Sequence, residues 1–233
     1  MATTLYLIRH GQASFGAADY DRLSPLGHQQ AQALGRALHL QGVTPDAVFL
    51  GDMRRHRETM DGIADGMNQA AGGGTDHAFT PTVIPGLNEF DFAGLINARF
   101  ASPDTEDMPA DIHQDRRKYF AIMRDCVLEW QRGEIVNPPE TWPDFTARVR
   151  AAREEITASG AKSALAVSSG GPIGQSISEV MQAPADAMIR LQLQVINCSV
   201  SRLILTPSTT HLHGFNEVPH INATNSAQML TYS

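Results

Sequence analysis

Short apolar runs that do not alternate punctuate the chain at residues 5–8, 47–50 and 164–167, each rich in Val, Leu, Ile or Ala. Strands buried on both faces of a parallel sheet have this pattern. The stretches between them have helical spacing. Ser24-Pro25 places a hydroxyl at an N-cap and a proline at the first helical position, and Ala31, Leu34, Ala37 and Leu38 then recur every three or four residues along one stripe. Residues 55–67 and 142–156 also read as helices, as does 172–181, which a proline opens after two glycines.

Strands alternating with helices predict an α/β domain, a three-layer αβα sandwich with a mostly parallel central sheet and helices on both faces. In such sheets ligands bind beyond the carboxyl ends of the strands. Three segments with chemical potential follow predicted strand ends: Arg9-His10-Gly11, Arg54-Arg55, and Ser168-Ser169-Gly170-Gly171. Residues 96–140 differ in texture, with scattered prolines and acidic groups around a helix near 115–130. This stretch is too short to hold a core of its own. We read it as an insertion beside the crevice, a lid that shapes substrate choice, within one domain spanning 1–233.

Composition narrows the function. The chain has 233 residues, of which 42% are hydrophobic and 18% charged, as in ordinary globular proteins. Eighteen Lys and Arg against 25 Asp and Glu give a formal charge of −7, which argues against nucleic acid or an anionic membrane surface as partner. The N-terminus enters its first strand at once, without the basic and long apolar regions of a signal peptide, and no apolar stretch approaches the roughly 20 residues of a spanning helix. A cytoplasmic protein is expected. Cys126, in a helical run, and Cys198, assigned to a strand, read as small reduced core residues. His211 and His213, two apart, would share one face of a strand, but without a third ligand they read as exposed edge-strand residues. No metal and no cofactor is expected.

The strand-end cations suit an oxyanion. Arg9 offers planar paired donors to phosphate oxygens, His10 can serve as nucleophile or acid/base, and Gly11 lets backbone come close. Read with its surroundings, this segment resembles the histidine phosphatase superfamily, the phosphoglycerate mutase-like proteins. Residues 7–14 and 19–27 carry the first part of the resemblance. Gly51-Asp52-Met53-Arg54-Arg55-His56-Arg57-Glu58-Thr59 is similar to the second arginine motif, and Leu87-Asn88-Glu89-Phe90-Asp91-Phe92-Ala93-Gly94 to the segment bearing the acid. Residues 197–200 and 215–220 resemble the closing strands.

The resemblance implies that His10 becomes a phosphohistidine while Arg9 and Arg55 hold the nonbridging oxygens. Glu89 would protonate the leaving alcohol and then activate water. Gln12, Ser169 and Gly170 join Arg9 and Arg55 as implied phosphate-binding residues. Arg54, four residues before Glu58 on a helix, is assigned to a surface ion pair instead. At one position the chain departs from the pattern. Ser169 stands where the family carries a second histidine, and His113, His211, His213 and His220 are the imidazoles considered as spatial substitutes. Three readings follow: a phosphatase acting on a small phosphorylated metabolite or a phosphoprotein, a noncatalytic phosphoester-binding protein, and a mutase-type phosphotransferase. The segment Gln12-Ala13-Ser14 resembles the phosphatase branch more than the mutase branch. Oligomeric state is not legible.

Overall fold

The computed structural model describes residues 2–14, 21–72, 79–101, 108–109 and 116–232, with the side chains of Arg116 and Arg117 excepted. His113 therefore lies outside the described residues, as do Asp19 and Tyr20 of the 19–27 segment quoted above.

Among the described residues six strands form one sheet. In chain order they are β1 (Thr3–Arg9), β2 (Ala47–Leu50), β3 (Thr82–Val83), β4 (Ser163–Ser168), β5 (Val200–Leu205) and β6 (Thr210–Glu217). Their order across the sheet is β3-β2-β4-β1-β5-β6. The four strands from β3 to β1 pair in parallel, and β5 and β6 add an antiparallel edge. The helices are α1 (Pro25–Leu40), α2 (Arg54–Ala70), α3 (Phe92–Phe100), α4 (Arg116–Gln131), α5 (Trp142–Ala158), α6 (Gly170–Val180), α7 (Ala187–Gln192) and α8 (Ser226–Met229). The Ser24 side chain caps α1 by accepting from the Gly27 N–H, as the Ser-Pro pair predicts.

Alternating side chains of the central strands feed two cores. Leu5, Leu7, Ala164 and Ala166 pack with Ala152 and Ile156 of α5 and Ile173 and Ile177 of α6. Ile8, Leu165 and Val167 pack on the other face with Leu34 and Leu38 of α1 and Met60, Ile63 and Met67 of α2. The two-residue period of the strands thus produces the outer helical layers on either side. A third cluster lies beyond the sheet. Phe90, Phe92, Leu95, Cys126, Val127 and Trp130 pack against Phe145 and Val149 of α5 and Met188 and Ile189 of α7. The described part of the 96–140 segment thus shares a core with α5 and α7.

Two boundaries differ from the sequence reading. Cys198 is not in a strand: it sits in the turn before β5 with φ of 55°, where its N–H donates to the carbonyls of Arg9 and His10. α6 begins at Gly170, two residues ahead of Pro172, so that the glycine pair is its first turn. Both cysteines are buried free thiols. Among the described residues no helix is long and apolar enough to cross a membrane.

Candidate active site at the strand ends

The carboxyl ends of β1, β2 and β4 are neighbours, so the three segments with chemical potential meet at one edge. The His10 N–H donates to the Ser168 carbonyl across the β1–β4 junction, and the Gly51 N–H donates to Val167. His10 is buried with 5% exposure. Its Nδ1 lies 2.7 Å from the Gly11 carbonyl oxygen, which can only accept, so Nδ1 carries the proton and Nε2 keeps its lone pair. Burial, then the charges of Arg55 and Arg9 and the neighbouring His56 ring, hold His10 well below the usual imidazole range. The ring is therefore neutral and nucleophilic at neutral pH.

The glycine beside it is required by close packing. A Cβ on Gly11 would lie 2.6 Å from the Gly27 carbonyl oxygen, so only glycine lets the loop after β1 rest on the first turn of α1. The Gly11 N–H donates to Thr59 Oγ1 (3.0 Å), and Thr59 in turn donates to the Arg55 carbonyl (2.7 Å), which ties the loop to α2. From behind, Asn197 Nδ2 donates to the His10 carbonyl, and its Oδ1 accepts from Thr231.

Arg55 is buried (5% exposed) and directed inward from the first turn of α2, whereas Arg54 on the outer side pairs with Glu58 at 2.6 Å. Arg55 Nη1 donates to Asp21 Oδ1 at 2.7 Å and Nη2 lies 3.5 Å from Ser169 Oγ. The second Asp21 oxygen accepts from the Arg54 N–H, so this carboxylate also caps α2. Arg9 Nη1 donates to the carbonyls of Val195 and Tyr232. Arg9 Nε also flanks Gly170, at 3.9 Å from a Cβ built there.

Glu89 follows the 3-10 turn at Pro85–Leu87, which Arg148 of α5 grips by donating to the carbonyls of Gly86 and Asn88. Phe90 is anchored in the aromatic cluster, 5.1 Å from Trp130 and 5.6 Å from Phe145 between ring centroids. Glu89 is thereby held over the first turn of α6, where Oε2 accepts from the Gly171 N–H at 3.1 Å. A Cβ on Gly171 would lie 2.1 Å from Glu89 Oε1. Withdrawal from water raises the carboxyl above its usual range, against the lowering pull of the Gly171 N–H and of Arg55 and Arg9.

Ser169 is fully buried and contacts His56, whose Nε2 lies 2.8 Å from Ser169 Oγ. Sequence reasoning missed His56, although a signal existed. It heads the stripe His56, Met60, Ile63, Met67 on the buried face of α2, where a lone imidazole among apolar residues stands out. Burial and the adjacent Arg55 push His56 down to about 3. Gln12 is turned toward α1, with its Oε1 accepting from Ser24, and is not brought onto His10 by any contact. His211 and His213 are exposed on the edge strand β6, and His220 is buried by itself. None of the three contacts Ser169. Among the described residues no cluster of three or more His, Cys, Asp or Glu could hold a metal ion.

Three buried neutral imidazoles set an acid limit on stability. His10 and His56 lie below the ordinary value of 6.5, and burial lowers His220 to about 4. Below pH 6.5 the unfolded chain takes up these protons while the folded chain does not, so stability is complete above 6.5 and falls with pH. Each ring contributes up to about 1.4 kcal/mol per pH unit, and the loss ends near pH 4 for His220 and near pH 3 for His56. Glu89 runs the opposite way, since its raised value makes the folded state hold the proton. Urea midpoints should therefore fall steeply from pH 7.5 to 5, and His220→Phe should flatten the slope. A flat profile would contradict the burial.

His10, Arg9, Arg55, Glu89, Ser169 and Gly170 thus lie near one another at the strand ends, bringing together guanidinium groups, a neutral imidazole and a raised carboxyl. A family model described as histidine phosphatase superfamily (branch 1) matches residues 5–218. A probable phosphoglycerate mutase, GpmB, of Erwinia tasmaniensis is 25% identical over 206 residues, covering 85% of this chain and 83% of that protein. Bacillus stearothermophilus YhfR has a similar fold, with a TM-score of 0.67 and 20% identity over 94% of this chain and all (100%) of that one. The alpha-ribazole phosphatase of Shigella flexneri gives a TM-score of 0.64 at 22% identity, over 92% of this chain and 96% of that one. These relatives include both mutases and phosphatases. The match over residues 5–218 makes this chain a member of the histidine phosphatase superfamily, branch 1.

Proposed function

We propose that this chain is a phosphomonoester hydrolase working through a phosphohistidine on His10. The observation that carries this reading is the tethered, neutral His10 ring, whose Nδ1–H is committed to Gly11 while Nε2 keeps its lone pair, in the field of the Arg55 and Arg9 guanidinium groups. The Nε2 lone pair attacks phosphorus as the ester P–O bond breaks. Arg55 and Arg9 hold the nonbridging oxygens and stabilise the charge that gathers there. Glu89, held protonated more readily than an ordinary carboxyl, gives its proton to the departing alkoxide. The resulting carboxylate then takes a proton from water as the water oxygen attacks phosphorus and the P–N bond breaks. Inorganic phosphate leaves and neutral His10 is restored. Gly170 at the start of α6 borders the same anion site, where the helix N-terminus favours negative charge.

The substrate is a small phosphorylated metabolite or a phosphoprotein. The 96–140 segment, whose Cys126, Val127 and Trp130 pack with Phe90 and Phe92 beside Glu89, is the lid that selects it. Hydrolysis of para-nitrophenyl phosphate tests the reading. Turnover is expected in the wild type and none in His10→Ala. Equal residual rates in the two proteins would leave a binding role only.

Asp21 makes the resting site self-occupied. Its carboxylate sits on Arg55 Nη1, where a phosphoryl oxygen must bind, so the two anions compete for one guanidinium. Asp21→Asn keeps an oxygen to accept from the Arg54 N–H but loses the charge. Inorganic phosphate should then bind about two- to fivefold more tightly, as expected for removal of a half-exposed ion pair. Calorimetry reads this directly, and unchanged affinity would show that Asp21 does not compete.

A further inference from the structure

His56 and Ser169 form a fully buried polar pair, each 0% exposed, with Nε2 2.8 Å from Oγ. The serine comes from the end of β4 and the imidazole from the first turn of α2. Ser169 Oγ also lies 3.5 Å from Arg55 Nη2, and the His56 and His10 rings are 5.8 Å apart between centroids. The pair therefore touches one phosphate-site guanidinium and stands beside the nucleophile. Packing does not call for an imidazole here, since the rest of its stripe is Met60, Ile63 and Met67. Burying a polar ring costs free energy unless it is hydrogen-bonded, and the bond it makes is to a hydroxyl at the pocket.

We propose that His56 and Ser169 act as one unit, in which α2 supplies the second imidazole of the pocket and Ser169 carries its hydrogen bond to the phosphoryl group. The inference rests on the phosphoryl-transfer reading above. His56 does not reach the ester, so it is a positioning residue that acts through Ser169 Oγ. A serine hydroxyl left to itself rotates among acceptors. With His56 Nε2–H donating to Oγ, the one hydroxyl proton is left for the phosphoryl oxygens, and the first hydrogen bond of this chain polarises the second. That bond strengthens as charge develops in the transition state.

The test compares wild type, His56→Ala, His56→Gln, Ser169→Ala and the His56→Ala/Ser169→Ala double variant, using para-nitrophenyl phosphate for turnover and inorganic phosphate for binding. Each single alanine variant should lower kcat about 10- to 100-fold with a smaller change in KM. The double variant should be no worse than Ser169→Ala, because both losses pass through one bond. His56→Gln, whose amide can still meet Ser169, should lie between wild type and His56→Ala, and it carries the comparison if the alanine variant does not fold.

An exchange gives the sharpest contrast. Ser169→His brings two rings into space built for one and should stay slow, whereas His56→Ala/Ser169→His should recover activity above either single change. Losses that multiply in the double alanine variant, or thermal destabilisation with unchanged kcat per folded molecule, overturn the pairing. The phosphate arm decides the matter without chemistry: coupled losses of affinity are expected, and independent losses or no phosphate binding overturn it. Failure of the phosphohistidine reading has a different signature, with no phosphate trapped on His10 in wild type while the coupling in phosphate binding persists.

Discussion

Arg55→Ala should cut kcat/KM for any phosphate ester by about three orders of magnitude or more, the range found when a guanidinium that neutralises transition-state charge is removed. The size follows from its placement. Arg55 is buried at 5% exposure, enters the crevice from the rigid first turn of α2, and acts electrostatically on both His10 and Glu89. A buried charge is screened less than an exposed one. Arg55→Lys should restore only a small part of the loss, because a point charge cannot reproduce two parallel N–H donors. Arg54→Ala provides the contrast, since its guanidinium pairs with Glu58 on the outer side of the helix and should change the rate less than about twofold. Steady-state kinetics on the three variants settle the assignment. Equal effects of Arg54→Ala and Arg55→Ala would reject it.

Glu89→Gln should slow hydrolysis of alkyl phosphates by about 10²- to 10⁴-fold, the contribution of a positioned general acid. The effect should depend on the leaving group. An aryl phosphate with an acidic phenol needs little protonation, so loss in its first step should be much smaller and phosphoenzyme should accumulate as water attack becomes limiting. The acidity of Glu89 is tuned by its setting: Phe90 anchors the segment in the aromatic cluster, and the Gly171 and Phe90 N–H groups both donate to the carboxyl. A pH profile should show the limb assigned to Glu89 missing in the glutamine variant. A loss equal for alkyl and aryl esters would mean that Glu89 holds the pocket together and does not transfer a proton.

Much of the frame was legible because it is local. The runs at β1, β2 and β4 carry their own burial signal, and Ser24-Pro25 specifies the start of α1 by direct capping. What escaped depends on residues distant in sequence. Cys198 follows an apolar pattern, but a turn with positive φ is imposed there by its bonds to Arg9 and His10. Asp21 meets Arg55 across 34 residues of sequence, a contact no local pattern announces. His56 lies inside the quoted arginine motif, yet the imidazoles that the sequence offers as substitutes for the missing histidine are those near the closing strands and in the insertion. Only the pairing of β2 with β4 brings the head of α2 beside residue 169. Helical periodicity could have flagged His56 as a polar residue on an apolar stripe, but not what it faces.

The account turns on one covalent event, and rapid quench into alkali with a labelled ester measures it. A single acid-labile, alkali-stable phosphate should appear on His10, build up further in Glu89→Gln, and be missing in His10→Ala. Release of labelled phosphate from wild type with no label ever trapped on His10 in either background would contradict the account.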